Sequence, residues 1–408
     1  MLCRSRVPPD GRSFDTKSHM KMLSAVKEIE SDLIRFAQEL VRIKSVSGKE
    51  GELAKRIEAE MCVLGYDEVF IDSIGNVVGR IGNVGKSIMF DSHMDTVDVL
   101  DADEWNVPPF SGNIVDGKLY GRGTSDMKCA LASSIYAAAA ARKLGYDNDK
   151  TIYVSCTVNE EDCDGENLKS LFQERSLRPD YFVICEPSSN KIVLGHNGKA
   201  QILIKTKGVS AHGSRPQDGV NAVYKMADII TRVEKLNEKL SGHEGAKGTV
   251  ALTHIGCETA SYNAVPSECS IYLDRRMMAG EKIDDVKAEM DELIVGTDAI
   301  WEVGTLRSVS WTGMNIEYQP IHEAWRIEEN HELTRACLRA YEEVFGRKHG
   351  PYHTWAFGTN AVTPVSFGIP TIGFGPGNDR LAHMVNEHCI VEDMIAATMF
   401  YASLVSYI

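Results

Sequence analysis

The chain carries Ser87-Ile88-Met89-Phe90-Asp91-Ser92-His93-Met94-Asp95-Thr96 and, further on, Gly121-Arg122-Gly123-Thr124-Ser125-Asp126-Met127-Lys128. Ile88, Met89 and Phe90 form a compact apolar run, the pattern of a strand buried on both faces of a parallel sheet. His93 and Asp95 follow at its carboxyl end, where open α/β sheets hold their ligands. Residues two apart on an extended chain project to the same side, so the pair can share one site. One can coordinate a metal while the other, a carboxylate behind the ring, orients it. Asp126 lies in a glycine-punctuated loop just before an alanine-rich helix. His-x-Asp alone is a weak signal; its weight comes from the acids and histidines that succeed it along the chain.

Upstream, apolar residues at helical spacing predict a helix over Leu23–Ile43 and a second over Glu52–Leu64, ending at Gly65. Strands are expected near Glu68–Ile71, Val77–Ile81 and Ile88–Phe90. Trp105–Gly123 reads as a long Pro- and Gly-rich connection, a length that marks a functional loop. Met127–Leu144 is a helix. The strand Thr151–Val158 empties into Asn159-Glu160-Glu161-Asp162, and the strand Tyr181–Cys185 delivers Glu186-Pro187. A strand followed by an acid thus recurs among alternating helices, which is the α/β pattern with a site along one sheet edge.

The texture changes after Lys191. Half-exposed strands (Gln201–Lys207, Thr249–Gly256, Glu268–Arg275) alternate with amphipathic helices (Gly219–Leu240, Glu281–Val295). This predicts an inserted α+β lid over residues 197–315, within a catalytic α/β domain formed by residues 22–196 and 316–408. The helix His331–Phe345, the buried strand Thr371–Gly375 and the helix Val391–Ile408 complete that domain, a mixed sheet covered by helices. Residues 1–21 read as a disordered tail.

At 408 residues the chain exceeds a usual single core, so more than one domain is expected. A formal net charge of -14 argues against a nucleic-acid partner. The 10 cysteines show no C-x-x-C pair, which reads as reduced thiols of a cytoplasmic protein. Met1–Met22 has no apolar core of a secretory signal. The alanine run at Ala137–Ala141 is too short to span a bilayer, so no membrane partner is expected.

In chain order, the candidate ligands are His93, Asp126, Glu161, Glu186 and His383. Nitrogen and oxygen donors with carboxylates in the majority suit two divalent ions better than one closed structural zinc. A single carboxylate could bridge them. Adjacent residues point apart, so of Glu160 and Glu161 one can ligate while the other faces the water; geometry does not say which takes which role.

The set Ser92–Thr96, Gly121–Asp126, Asn159-Glu160-Glu161, Glu186-Pro187, Gly208-Val209-Ser210-Ala211-His212 and Ala382-His383-Met384-Val385-Asn386-Glu387 resembles the dinuclear-zinc peptidase and deacylase family. That family includes acetylornithine deacetylase, succinyl-diaminopimelate desuccinylase, aminoacylase-1 and glutamate carboxypeptidase. Gly358–Ala361 and Gly373–Gly377 look closest to a subgroup of selenium-metabolism-linked hydrolases. The resemblance implies a zinc-peptidase-like catalytic domain with two divalent ions, most often zinc, with cobalt or manganese as substitutes. It implies that Asp126 bridges them, with His93 and Glu186 on one ion and Glu161 and His383 on the other. It also implies Asp95 behind His93, Glu160 as general base and a cis Asp126–Met127 peptide. His212, on the lid, would be an oxyanion donor reaching across a homodimer formed through the lids. Asn263 and Arg276 match lid positions that hold a substrate carboxylate, and Asn360 is a candidate pocket residue. Aminopeptidases of the family tend to carry Asp where this chain has Glu186, which leans the expectation towards deacylases and carboxypeptidases.

The expected reaction is amide hydrolysis of an N-acyl amino acid, with a dipeptidase or carboxypeptidase as the alternative on the same site. A catalytically silent metal-binding scaffold would need neither Glu160 nor His212. His196, His254, His322, His349, His353 and His388 read as ordinary surface or core histidines.

Overall fold

Alternation sorts the residues of the first motif between two cores. Along β3 (Lys86–His93), Ile88 and Phe90 enter one apolar cluster and Met89 enters another on the opposite side, as a period of two dictates. The computed structural model describes residues 16–242 and 248–408. β3 is central in a 9-stranded mixed sheet. Across it run β1 (Glu68–Ile71), β2 (Val77–Ile81), β6 (Lys150–Thr157), β3, β7 (Tyr181–Ile184), β18 (Thr371–Gly373), β8 (Val193–His196) and β16 (Trp325–Arg326), with β17 (His353–Trp355) beside β8. β6, β3 and β7 are parallel; His93 pairs with Thr157 and Asp91 with Ile184, so three carboxyl ends lie along one edge.

One face is covered by α1 (Thr16–Arg42), α3 (Cys129–Lys143), α8 (Glu332–Phe345) and α10 (Val391–Tyr407), which pack on one another. α3 is buried nearly all round. Its alanines have the highest helix propensity and let neighbouring helices approach closely. α2 (Gly51–Val63) packs on β1 and β2. On the other face, Leu171 and Phe172 of α5 (Lys169–Gln173) join Met89, Phe182 and Trp355, near α9 (Val362–Ser366).

A separate cluster gathers residues from Ala200 to Ala299. Its sheet runs β10 (Thr249–Glu258), β11 (Glu268–Met277), β9 (Gly198–Lys207), β12 (Ile300–Val303), with β15 (Ile321–His322) also on β9. Ala200, Ile202 and Ile204 alternate inward against α6 (Ala222–Ser241) and α7 (Ile283–Ile294). Asn221 caps α6 by accepting from the Val223 amide at 2.9 Å, an N-cap bond of the usual kind.

The chain departs from the sequence reading in three places. Residues 16–21, read as tail, are the first turns of α1; the rest of that expected tail lies outside the described residues. The Trp105–Gly123 connection contains β4 (Ile114–Val115) and β5 (Lys118–Tyr120), which pair with each other and with β19 (His388–Ile390). The boundary at 315 does not fit the sheets. The hairpin β13 (Leu306–Val309) and β14 (Asn315–Tyr318) docks on the large domain, where Trp311 Nε1 donates to the Gly75 carbonyl at 3.2 Å and Thr312 Oγ1 to that of Ser73 at 2.8 Å. β15, beyond 315, pairs instead with the lid strand β9. Among the described residues no helix is long and apolar enough to cross a membrane.

Candidate active site

The carboxyl edge of β6, β3 and β7 collects most of the candidate polar groups. His93 ends β3, Glu160 and Glu161 open the short helix α4 (Glu160–Cys163) after β6, and Glu186 follows β7. Asp126 precedes α3, and the Asp126–Met127 peptide is cis. His383 sits between β18 and β19 at φ 63°, a left-handed conformation in which His, Asn and Asp are among the less disfavoured side chains.

Asp126 lies between two imidazoles. Its Oδ1 is 2.9 Å from His93 Nε2 and its Oδ2 is 3.4 Å from His383 Nε2. Each imidazole has a further carboxylate: Glu186 Oε1 stands 3.7 Å from His93 Nε2, and Glu161 Oε2 stands 2.9 Å from His383 Nε2. Ligand atoms of His93, Asp126 and Glu161 lie within 4.8 Å of one another, as do those of His93, Glu160 and Glu186. His93, Glu160 and Glu186 are buried, whereas the His383 side chain is 50% exposed.

Such crowding perturbs every group. Burial and the neighbouring Glu186 push the Glu160 carboxyl well above its usual range, and burial with Asp126 does the same for Glu186. Burial alone would raise Asp126, but His383 and His93 hold it well below the carboxylate range. Asp126 and Glu161 push His383 up to about 10. The donor set fits divalent cations: acids that repel one another across two imidazoles are relieved by positive charge at their centre. Glu160 Oε1, buried without a hydrogen-bond partner, remains free for a proton.

Asp95 stands behind His93 with a division of labour that the spacing of the two residues does not convey. His93 Nδ1 bonds the Asp95 carbonyl at 3.0 Å, while the carboxylate is 3.6 Å away. That carboxylate accepts instead from the amides of Glu160 (3.0 Å) and Glu161 (3.2 Å) and from Ser47 Oγ (2.8 Å). It therefore fixes the imidazole and the glutamate turn together.

Glu387 and Lys128 belong to the motifs but have no role in the sequence reading; the structure supplies one for each. Glu387, fully buried, accepts from Arg122 Nη1 at 2.7 Å and from the amides of Gly123, Ser125 and Asp126 at 3.1, 2.8 and 3.1 Å. It ties the Asp126 loop to the His383 loop. Lys128 Nζ donates to the carbonyls of Leu40 (2.9 Å) and Ile43 (2.8 Å), anchoring the same loop to the end of α1. A charged residue inside a motif of metal ligands was the available signal. Gly377 permits a further close approach, since a Cβ there would lie 2.2 Å from the Ser125 carbonyl.

The lid residues have partners of their own. His212 is exposed, and its Nδ1 accepts from the Ser214 amide at 3.1 Å. The neutral ring therefore carries its proton on Nε2. Among the described residues no hydrogen bond or ion pair joins His212 to the carboxylate cluster. Asn263 is its neighbour: the Gly213 amide donates to the Asn263 carbonyl at 2.6 Å. Arg276 is paired with Asp274 at 2.6 Å. Asn360 differs from its expectation as a pocket residue. It is 2% exposed, and its Nδ2 donates to Asp91 Oδ2 (2.8 Å) and Thr157 Oγ1 (2.9 Å), bracing the strand ends from within.

Comparison with known proteins gives the family. Residues 89–407 match the model of peptidase family M20/M25/M40. The "Uncharacterized protein YgeY" of Escherichia coli (strain K12) is 34% identical over 387 residues, 94% of this chain and 96% of that one. A succinyl-diaminopimelate desuccinylase of Thioalkalivibrio sulfidiphilus (strain HL-EbGR7) is 23% identical, covering 92% and 98%. The solved structure of the Bacillus subtilis YXEP protein, described as a dinuclear metal binding peptidase, superposes with a TM-score of 0.67 at 15% identity, covering 93% and 98%. The fold, the clustered acids and imidazoles and these likenesses converge: the chain is a hydrolase of peptidase family M20/M25/M40.

Proposed function

We propose that the chain is a deacylase: it hydrolyses the amide bond of a small N-acyl amino acid at a centre of two divalent ions. Zinc suits the donor set, with cobalt or manganese as substitutes. The observation that carries this reading is the placement of Asp126, with one carboxylate oxygen towards His93 and the other towards His383. His93 and Glu186 would hold one ion, Glu161 and His383 the other, and Asp126 both. Bound ions would supply Lewis-acid polarisation of the scissile carbonyl and acidify water.

The protein groups do the rest. Glu160, raised by burial and by Glu186, takes the proton of the attacking water and delivers it to the leaving nitrogen as the C–N bond breaks. The products are the free acid and the free amine. General acid–base transfer of this kind contributes about 10²–10⁴-fold. Asp95 keeps His93 and the glutamate turn in one frame. His212 Nε2–H donates to the developing oxyanion, and Asn263 and Arg276 hold the substrate carboxylate.

His212 is brought to the centre from the partner subunit of a homodimer formed through the lids. In support, β10 is an edge strand with much of its length exposed. The free thiols among the described residues fit a cytoplasmic setting. The test is a panel of N-acetyl, N-succinyl and N-carbamoyl amino acids and dipeptides, offered to metal-loaded protein. Turnover of an N-acyl amino acid above all dipeptides is expected. Preference for a dipeptide would move the assignment to a peptidase on the same site.

A further inference from the structure

Behind the turn that carries Glu160 and Glu161, a polar cluster joins the two halves of the molecule. Asp164 ends α4 at φ 31°, and its amide bonds back to the Glu160 carbonyl at 3.2 Å. Its Oδ2 accepts from Tyr318 Oη at 2.7 Å, contacts Lys199 Nζ, and lies 3.8 Å from His322 Nε2. These partners come from the segments that link the large domain to the lid: Lys199 opens β9, Tyr318 ends β14 and His322 ends β15. The side chains of Asp164, Lys199, Tyr318 and His322 are between 6% and 13% exposed, so the charge is shielded from water and the contacts are strong.

Register extends the link. Lys199 pairs with His322 on one side and with Arg276 on the other. Residues opposite one another on neighbouring strands share a face. The row Arg276, Lys199, His322 therefore lies on one face of the lid sheet, and its centre is held by Asp164. The space is also tight: a Cβ at Gly358 would lie 3.1 Å from His322 Nε2 and 3.2 Å from Asp164 Cγ.

We propose that Asp164 is a positioning residue that locks the lid's Arg276–Lys199–His322 row to the Glu160–Glu161 turn, so that substrate held by the lid meets the base in register. This rests on the hydrolase reading and adds to it a residue that touches neither metal ligand nor substrate. One carboxylate oxygen holds Lys199 and Tyr318, with His322 Nε2 3.8 Å away, and the Asp164 amide closes the turn of Glu160. Displacement at one end is thereby transmitted to the other.

The test compares wild type, Asp164→Asn, Tyr318→Phe and their double variant. Asp164→Asn keeps an acceptor for Tyr318 but loses the charge that holds Lys199. It should lower kcat by about tenfold or more, as small misplacements of reacting groups do, with little change in KM and none in metal content. Tyr318→Phe, which removes one hydroxyl and guards against a folding defect in the first variant, should act in the same direction and less. The double variant should lose less than the sum of the two, because both break one network. Hydrogen exchange of the metal-free protein supplies a readout independent of turnover: amides of residues 159–165 and 198–202 should lose protection together in Asp164→Asn. Unchanged kcat with unchanged exchange in 159–165, or fully additive losses, would overturn the proposal. Wild type inactive on every substrate of the panel would count against the hydrolase reading alone, since the exchange measurement still decides the coupling.

Discussion

Glu160 and Glu161 are neighbours with opposite commitments. Glu161 is in contact with His383 at 2.9 Å, whereas Glu160 keeps a buried oxygen without a partner. Glu160→Gln should therefore leave metal content unchanged and lower turnover by about 10²-fold or more. Glu161→Gln should weaken metal binding first and lose turnover in proportion. Metal analysis beside steady-state kinetics checks both, and the reverse pattern would exchange the roles. At this scale the sequence was informative about groups that share an order of chain and a chemistry: His93, Asp126, Glu161, Glu186 and His383 are brought together. It was silent about groups defined only by their neighbours. Asn360 braces Asp91 and Thr157, and nothing local to Gly358–Ala361 announces those partners. Asp95 spends its carboxylate on the amides of Glu160 and Glu161, a contact made only when β3 and β6 lie side by side.

Elements with a strong period were legible, and elements held by tertiary contact were not. β3, β6 and the amphipathic helix α6 fall where alternation and helical spacing place them. The hairpin β13–β14 has strands of only 4 residues each, too short for alternation to announce them, and is fastened by Trp311 on Gly75. β8 and β9 meet at His196, read from the sequence as an ordinary histidine. It is buried with its ring edge-on to His322 and Trp325, 5.3 and 5.6 Å away between ring centres. Burial, with the neighbouring His322, pulls its pKa from 6.5 down to about 3; Asp164 opposes and Lys199 assists that shift. Between these values the unfolded chain binds a proton that the folded chain refuses, so stability falls as pH drops below 6.5. At pH 5 the loss from this group is about 2 kcal/mol. Urea unfolding at pH 7 and pH 5 should show His196→Phe losing about that much less than wild type on the same descent. Equal losses would mean that His196 is protonated in the folded protein.

For the whole molecule, the feature to explain is that His212 bonds Ser214 and, among the described residues, makes no hydrogen bond or ion pair with the carboxylate cluster. His212 is exposed beside Asn263 on the lid, and a two-fold pairing of lids would offer each histidine to the other subunit. His212→Ala and Glu160→Gln should each be nearly inactive alone. Mixed under conditions of proven subunit exchange, they should regain activity, because one of the two sites in a mixed dimer then has both wild-type groups. No recovery would place His212 outside the partner's site.

The roles proposed for Glu160, the metal ligands and His212 all depend on a proposed centre for two ions, with Asp126 between them. Metal-free protein titrated with zinc, with bound metal counted per chain at saturation, tests that directly. Two ions per wild-type chain and fewer than two in Asp126→Ala are expected. Saturation at a single ion, unchanged by Asp126→Ala, would contradict the two-ion centre.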